Sequence, residues 1–330
     1  MNNKNFNAII VDENHDGTFS QKIKEKKINE LPDGDLLVKV EYSSLNYKDA
    51  LSFSGNKGVT KHYPHTPGID AVGVIEESTS SDFIIGEKVI VTGYDMGMNT
   101  AGGFGEYIRV PKKWASSLPE TLDALDSMII GTAGLTAGLC VQSLEIKNGI
   151  LGKKAVVTGS SGGVGCMAVR LLSKLGADVT AITGKKEKIE FLKSIGAKEI
   201  IYIDDFLNSV RKPMSKGQWD IAVDVAGGDI LSGLIASMNY GGIITCCGLV
   251  ASPNFDTTVF PFILRGNSLI GIDSGEAPIK EKNNIWEKFA SDWKIDDLDR
   301  LHKTVDMHGL MDEIKKILKG NQVGRIVLKH

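Results

Sequence analysis

The chain has 330 residues, more than a single hydrophobic core usually serves, so at least two domains are expected. Its 38 basic and 41 acidic residues give a net charge of −3, which provides no general attraction to nucleic acid or to a membrane surface. Four sparse cysteines, a polar start and the lack of a long apolar run predict a reduced, cytoplasmic protein that binds a small molecule.

The first 120 or so residues contain short β-type segments separated by turns rich in proline and glycine. These segments are residues 8–11, 35–42, 71–76 and 88–92. No helix-length apolar pattern separates them, so this part of the chain does not form βαβ units. It predicts a β-rich domain.

The pattern changes near Asp126. Residues 128–141 are apolar and rich in Ala, Gly and Thr, as in a tightly packed helix, and strands then alternate with helices. The expected strands are residues 155–158, 179–183, 199–203, 220–225, 242–247 and 268–272. Such alternation predicts an α/β fold with a doubly wound parallel sheet, in which residues 268–272 form the outermost strand.

The end of the chain is amphipathic and helical from about Asn283 to Lys319, and a strand follows at residues 324–328. The predicted domains are therefore residues 1–124, the first part of a β-rich domain, and residues 125–266, the parallel-sheet domain. Residues 267–330 then supply the last strand of the parallel sheet and the return to the β-rich domain. An outermost strand can pair across a twofold axis, so we expect a homodimer.

A glycine-rich turn follows the strand at residues 155–158. It contains Gly163-x-Gly165-x-x-Ala168, a form of the dinucleotide-binding fingerprint, between a strand and an amphipathic helix. Glycine permits the tight turn and the close approach of the backbone to a pyrophosphate, and the N–H groups at the helix start bind the anion. A purely structural glycine turn is the alternative, but the strand–turn–helix setting favours a dinucleotide.

The cofactor preference follows from Thr183-Gly184-Lys185, at the end of the next strand. An NAD-preferring site places a carboxylate near this position, where it binds the ribose 2′-hydroxyl. Here Lys185 is suited to a 2′-phosphate, with hydrogen bonds from Thr183 and the Gly184 backbone, which favours NADPH. The alternative is a solvated, lysine-rich helix start, and we prefer it for Lys186 and Lys188.

Zinc ligands are not recognisable in the sequence. Of the six histidines, only His62 and His65 are close in sequence; Pro64 separates them, no cysteine is near, and no CxxC spacing exists. We interpret both as histidines of a surface loop. A zinc-independent protein is predicted.

The segment Asn46-Tyr47-Lys48-Asp49 follows a predicted strand and is polar. Tyr47 can donate a proton, Asn46 can bind a carbonyl oxygen, and Lys48 can attract an anionic group. The same pattern is also typical of a helix N-terminus with a buried aromatic ring and a contact between Asp49 and a lysine. The residues alone leave both interpretations open.

Taken together, several motifs resemble the zinc-independent medium-chain dehydrogenase/reductases. The resemblance is narrower to the quinone oxidoreductase-like YhdH/YhfP branch, which includes NADPH-dependent acryloyl-CoA reductases. Its motifs are the fingerprint, Asn46-Tyr47-Lys48-Asp49, Pro67-Gly68-Ile69-Asp70-xx-Gly73, residues 131–137, Pro261-Phe262-Ile263-Leu264-Arg265-Gly266 and Gly324-Arg325-Ile326-Val327. The likeness spans nearly the whole chain.

The resemblance implies a GroES-like catalytic domain built from both ends of the chain around a Rossmann domain, in a homodimer. Where zinc-dependent relatives have Gly-His-Glu, this chain has Gly68-Ile69-Asp70, so the ligand histidine is absent. Relatives often have arginine where Lys185 stands, and lysine lacks the bidentate geometry. By the same matching, the cofactor contacts are expected at Tyr47, Ser161, Gly162, Gly163, Val164, Thr183, Gly184, Lys185, Leu249, Ile263 and Ser274.

The expected reaction is hydride transfer to the β carbon of a double bond conjugated to a carbonyl, as in acryloyl-CoA. Tyr47 and Asn46 are the candidate catalytic residues. Tyr47 or water could protonate the α carbon, and Asn46 with nearby backbone amides, or a ribose hydroxyl, could stabilise the negative charge on the carbonyl oxygen. A quinone is the alternative acceptor. An alternative of another class is a non-catalytic NADPH-binding sensor or structural protein.

Overall fold

The computed structural model describes residues 4–210 and 212–330. It divides into two compact units, one formed by Met1–Thr132 with Ser274–His330 and the other by Ala133–Asp273. The limits inferred from the sequence, residues 124 and 266, stay predictions. The first of them is the first residue of the helix Ala124–Asn148, whereas the first unit ends at Thr132, next to the kink of this helix at Gly131.

The first stretch of the chain is mainly β-structure, as its turn-rich pattern predicts. Alternating apolar residues form the buried faces of these strands, for example in Leu36–Ser44. The elements are β1 (Asn5–Glu13), β2 (Phe19–Lys27), β3 (Leu36–Ser44), α1 (Tyr47–Phe53), β4 (Asp70–Ser78), β5 (Lys88–Thr92), β6 (Tyr107–Val110) and β7 (Ala115–Ser117). The four strands expected from the sequence correspond to β1, β3, β4 and β5 and are confirmed.

A long helix, α2 (Ala124–Asn148), follows and is kinked at Gly131. Among the described residues it is the one helix whose length and hydropathy suit a membrane span, and 83% of its most apolar stretch is buried inside the protein. Packing in the interior therefore accounts for the apolar composition of this helix.

The middle unit is a parallel sheet with strands and helices in alternation. Its elements are β8 (Lys154–Val157), α3 (Gly163–Lys174), β9 (Asp178–Thr183), α4 (Ile189–Ser194), β10 (Glu199–Tyr202), α5 (Ile203–Ser209), β11 (Trp219–Asp224), α6 (Gly228–Ser237), β12 (Met238–Cys246), α7 (Phe260–Arg265) and β13 (Ser268–Gly271). The strand order is β10-β9-β8-β11-β12-β13, with parallel pairing. This confirms the α/β fold and places β13 at the edge of its sheet, as predicted.

The last stretch returns to the first unit. It comprises α8 (Ile279–Ala290), β14 (His302–Val305), α9 (Met307–Leu318) and β15 (Arg325–Lys329). In this unit's larger sheet the order is β14-β15-β3-β4-β5-β7, with β6 beside β3. The prediction of helix from Asn283 to Lys319 is partly wrong, because β14 pairs in parallel with β15 and interrupts it.

Candidate active site

The predicted catalytic segment forms the start of α1, directly after β3. Asn46 is the extended residue before the helix, and its N–H donates to Asp49 Oδ2 at 2.7 Å. Tyr47 is the first helical residue, and its side chain is 42% exposed. The helix N-terminus of the alternative interpretation is therefore confirmed, but its buried aromatic ring and its Asp49–lysine contact are wrong: the ring is open to solvent, and Asp49 accepts from backbone N–H groups.

Asp70, at the start of β4, is the centre of a buried polar network next to this segment. Its Oδ2 accepts from Ser44 Oγ at 2.5 Å, Asn46 Nδ2 at 2.7 Å and the Thr132 N–H at 2.9 Å. Its Oδ1 accepts from Thr132 Oγ1 at 2.5 Å. Both carboxylate oxygens are therefore used by this unit's own side chains and backbone.

Gly131 explains how α2 reaches Asp70. Its φ is +50°, a conformation that residues with a side chain rarely adopt. A Cβ at this position would lie 2.5 Å from Ser44 Oγ and 2.6 Å from Asp70 Oδ2. The glycine kink thus lets the Thr132 N–H approach the carboxylate, which no larger residue permits.

Arg325, the first residue of β15, is the cation of the network. The side chain is 2% exposed, and its Nη2 lies 3.8 Å from Asp70 Oδ2. Its other contacts fix the guanidinium in place: it donates to Ile129 O (2.9 Å), Ser44 Oγ (3.0 Å), Leu45 O (3.2 Å) and Asn46 Oδ1 (3.3 Å). A buried guanidinium is tolerated only when its N–H groups have hydrogen-bond acceptors, as they do here.

A second buried carboxyl, Asp49, lies beside the network. Its oxygens accept from the backbone N–H groups of Asn46 and Ile69, the latter at 2.8 Å. Burial, and next the nearby Asp70, raise the pKa of Asp49 to about 7, against the opposing effect of these backbone hydrogen bonds. The start of α1 is therefore tied to β4 through Asp49.

The Asn46 side chain belongs to the same network. Its Nδ2 donates to Asp70 Oδ2 at 2.7 Å and to Ser44 O at 3.3 Å, while its Oδ1 accepts from Arg325. Both amide hydrogens are thus in use. A role as donor to a substrate carbonyl stays a prediction, and it requires release of the longer bond.

A catalytic zinc does not fit this location. Ile69 replaces the ligand histidine and is buried, and the adjacent Asp70 is fully engaged. His62 is exposed, as expected for a surface loop, but His65 is not: it is buried, with Nε2 2.9 Å from Gly97 O, and burial lowers its pKa. Within residues 4–210 and 212–330, no group of three or more His, Cys, Asp or Glu side chains is arranged to hold a metal ion.

The glycine-rich turn follows β8 in the middle unit. Gly159 has φ +56°, Ser160 Oγ donates to Ile182 O at 2.9 Å, and Ser161 is buried. Gly162 is the residue before α3, which begins at Gly163. The turn thus brings Ser161, Gly162, Gly163 and Val164 to a helix N-terminus, where the first-turn N–H groups suit a pyrophosphate. The residues present fit a dinucleotide.

Thr183 ends β9, the strand beside β8. Its buried Oγ1 accepts from the Lys185 N–H at 3.2 Å, which shapes the turn around the exposed Gly184. Burial, then the nearby Lys188, lower the pKa of Lys185. The Lys186 ammonium lies 5.3 Å from the centre of the Tyr202 ring, a contact within its own unit.

The three residues predicted for the nicotinamide end lie in separate segments. Leu249 follows β12 and Ile263 lies in α7, and both side chains are largely exposed. Ser274 belongs to the first unit, between β13 and α8. Their contact with the cofactor stays a prediction.

Sequence reasoning assigned no role to Asp70 and Arg325, although both occur in the quoted motifs. They are far apart in the sequence, and only the pairing of β15 with β3 and of β3 with β4 brings them together. The available signal was a charged residue at the start of each of two apolar strands, which is a common and unspecific pattern.

Two family descriptions match the chain. "Alcohol dehydrogenase GroES-like domain" matches residues 32–120, and "Zinc-binding dehydrogenase" matches residues 163–292. These ranges fall in the first stretch of the β-rich unit and mainly in the parallel-sheet unit, respectively.

Close relatives cover nearly the whole chain. "Putative quinone oxidoreductase YhfP" of Bacillus subtilis is 39% identical, over 98% of this chain and 98% of that protein. "Acrylyl-CoA reductase AcuI" of Ruegeria pomeroyi is 37% identical with the same coverage of both. The Salmonella enterica yhdH oxidoreductase, solved in complex with NADP, is 38% identical with a TM-score of 0.94 and covers 98% of this chain and 99% of that chain.

YhfP has also been solved, with NAD bound. That structure has a TM-score of 0.95 and 38% identity, and the match covers 99% of this chain and 100% of that chain. Fold and sequence agree over the full length in each case. The chain belongs to the medium-chain dehydrogenase/reductase family, in the group of the quinone oxidoreductase-like YhfP, YhdH and AcuI proteins.

Proposed function

We propose that this protein is an NADPH-dependent, zinc-independent reductase of carbon–carbon double bonds conjugated to a carbonyl, such as that of acryloyl-CoA. The observation that carries this proposal is the exposed Tyr47 on a helix start that is anchored by a buried Asp70–Arg325 network. A solvent-accessible phenol on an anchored helix start suits proton donation. The name of AcuI supports this activity, and the NADP bound by the yhdH oxidoreductase supports the cofactor.

NADPH, when bound, supplies the hydride for the β carbon. Ser161, Gly162, Gly163 and Val164 would hold its phosphates through the N–H groups at the start of α3. Leu249, Ile263 and Ser274 would contact its nicotinamide end. These assignments rest on the fit of the turn and on the family resemblance.

In this scheme the protein donates one proton and stabilises one developing negative charge. Tyr47 Oη would donate its proton to the α carbon and then regain one from solvent, to which its side chain is open. Negative charge on the carbonyl oxygen needs a donor, and backbone N–H groups at the start of α1 supply that type of group. Asn46, through its bonds to Asp70 and Arg325, would keep that helix start in place.

Removing the phenol tests this role. Tyr47→Phe is expected to lower turnover of acryloyl-CoA about a hundredfold, because the proton donor is lost. The dissociation constant for NADPH, measured by its fluorescence, should change little. The matched control is Tyr240→Phe, at an exposed tyrosine of the other unit, which should leave turnover unchanged. Wild-type turnover in Tyr47→Phe would exclude Tyr47 as proton donor.

Lys185 should determine the preference for NADPH over NADH. Lys185→Ala is expected to raise the Michaelis constant for NADPH about tenfold and to spare that for NADH, since a charge-assisted bond to the 2′-phosphate is lost. Lys186→Ala is the neighbouring control and should affect neither, as its ammonium lies against Tyr202. An equal effect of Lys185→Ala on both cofactors would contradict the 2′-phosphate contact.

A quinone is the second candidate acceptor, favoured by the name of YhfP. An acceptor panel separates the candidates: oxidation of NADPH and of NADH is followed at 340 nm with an enoyl-CoA and with a quinone. We expect the enoyl-CoA with NADPH to be fastest. If NADPH binds but neither acceptor accelerates its oxidation, a non-catalytic sensor is favoured instead.

We further propose a cytoplasmic homodimer. The edge strand β13 offers unpaired backbone groups, and apolar side chains of the same unit are exposed on Leu249, Val250, Val259, Phe260, Ile263 and Leu264. The four cysteines are free thiols, which suits a reducing compartment. Multi-angle light scattering should give twice the mass of the 35.6 kDa chain, and a monomer would contradict the proposal.

A further inference from the structure

Lys282, on α8, is a buried lysine with 1% of its surface exposed. A buried ammonium is costly unless polar groups surround it. Its Nζ donates to Thr92 O at 2.7 Å and to Gly275 O at 2.9 Å, and lies 3.5 Å from the centre of the Tyr94 ring. Lys282 therefore joins three segments: the end of β5, the stretch between β13 and α8, and α8 itself.

The turn after β5 is strained at Tyr94. Among the described residues, Tyr94 is the one non-glycine residue with a positive φ, +53°. Such a conformation is unfavourable for a residue with a side chain and persists only where the surroundings enforce it. Here the Tyr94 N–H donates to Gly275 O at 3.1 Å, its hydroxyl donates to Ala277 O at 3.0 Å, and its ring stacks on Trp114 at 5.8 Å.

Both the lysine and the strained tyrosine therefore hold the same segment, residues 274–277. Gly275 O accepts from Lys282 Nζ and from the Tyr94 N–H, and Ser274 is the adjacent residue. The Tyr94 hydroxyl fixes the other end of the segment at Ala277. These contacts hold the segment between β13 and α8, and with it the backbone next to Ser274, in one position.

The same contacts continue toward the start of α1. Gly93, between Thr92 and Tyr94, donates its N–H to Ile69 O at 2.8 Å, and the Ile69 N–H donates to Asp49 Oδ1 at 2.8 Å. Asp49 in turn accepts from the Asn46 N–H. Lys282 is thus connected, through hydrogen bonds of the backbone and of the Asp49 carboxylate within one unit, to the helix start that carries Tyr47.

We propose that Lys282 is a positioning residue for the reaction: it fixes residues 274–277, and through them the contact of Ser274 with the nicotinamide half of NADPH. The inference rests on the proposed function, which places Ser274 at that half of the cofactor. A positioning role of Lys282 differs from a purely structural role in one respect. A structural lysine would affect all ligands equally, whereas a positioning lysine affects only those that reach Ser274.

The test compares two ligands, NADPH and 2′,5′-ADP, which carries the adenine half and the 2′-phosphate without the nicotinamide. Lys282→Met keeps the chain length and removes the donors and the charge. The dissociation constant of Lys282→Met for NADPH is expected to rise about five- to tenfold, which corresponds to the loss of one or two hydrogen bonds to the cofactor. The dissociation constant for 2′,5′-ADP should stay at the wild-type value. Lys282→Arg, which keeps charge and donors, should bind NADPH more tightly than Lys282→Met.

Lys288→Met is the matched control, because Lys288 lies on the same helix with its ammonium 4.2 Å from the centre of the Trp293 ring. It should leave both dissociation constants unchanged. If Lys282→Met does not fold, Tyr94→Phe, which removes the bond to Ala277 O, should show the same selective loss at smaller size. Equal weakening of both ligands, or of neither, would overturn the proposal.

The proposed function is tested separately with the wild-type protein. Wild-type binding of NADPH with no reduction of any acceptor contradicts the reductase activity and leaves the ligand comparison for Lys282 intact. Failure of the wild-type protein to bind NADPH would overturn both.

Discussion

Alanine in place of Gly165 is expected to lower the free energy of unfolding by about 2–4 kcal/mol, the range of severe overpacking in a core. The added Cβ would lie 2.2 Å from Gly159 O and 2.7 Å from Ser160 Cα. Both are backbone atoms of the cofactor turn, so neither can rotate aside as a side-chain tip can. Relief requires α3 to move away from β8, and this displaces the N–H groups that we assign to the pyrophosphate.

Gly162→Ala is the matched control in the same turn. A Cβ at Gly162 would lie 3.4 Å from Gly159 O, an ordinary contact, and φ at this residue is −82°, which alanine adopts freely. We expect it to unfold close to wild type in urea but to bind NADPH more weakly, because the methyl group occupies the approach to the helix N-terminus. If Gly165→Ala proved as stable as Gly162→Ala, the close contact between helix and turn would be refuted.

The parallel-sheet unit was predictable because its signals are local. Each of its strands is a short apolar run, and Gly176 and Gly196, which follow helical segments, have the positive φ expected of helix C-termini. The fingerprint glycines specify the turn directly. A pattern of this kind needs no knowledge of distant residues.

The strands β2 and β14 were missed for the opposite reason. β2 contains four lysines, and its pairing with β1 leaves much of it in solvent, where Lys22 and Lys24 bind Asp12. β14 has only four residues and exists because β15 provides a partner. Neither strand has an apolar periodicity of its own, so single-sequence reasoning has nothing to detect.

Only part of the candidate site could be predicted from the sequence, for a similar reason. Tyr47 stood out because it lies in a polar segment after a strand, and the sequence left open whether it was buried. The start of α1 is chemically distinct because of the adjacent Asp70–Arg325 network. The strands that form this network are remote from each other in the sequence. Gly131, inside a predicted helix, gave no hint that it kinks the chain toward Asp70.

Replacement of Arg325 by methionine should have the largest effect on stability of any single change in this network. Methionine fills similar space but leaves the carboxyl group of Asp70 buried without its cation, and three carbonyl or amide oxygens lose their donor. Breaking a buried ion pair on one side costs about 3–5 kcal/mol. Urea unfolding of Arg325→Met should show a loss of this size.

Lys112→Met provides the control for loss of an ion pair at the surface. Lys112 Nζ lies 2.6 Å from Asp82 Oδ2, but the two side chains are 44% and 60% exposed. Its removal should cost about 0–1 kcal/mol. The comparison separates burial from the mere presence of an ion pair, since the Lys112–Asp82 distance is the shorter of the two.

The double variant of Arg325→Met and Asp70→Asn separates the effect of the charge of Arg325 from the effect of its hydrogen bonds. If the penalty of Arg325→Met comes from an uncompensated carboxylate, then Asp70→Asn in the same chain removes part of it, because the amide carries no charge. The double variant should therefore be more stable than the sum of the two single effects predicts. Strict additivity would show that the loss in Arg325→Met comes from the missing hydrogen bonds of Arg325 and not from its charge. A loss below about 1 kcal/mol in Arg325→Met would show that neither the charge nor these hydrogen bonds stabilise the network.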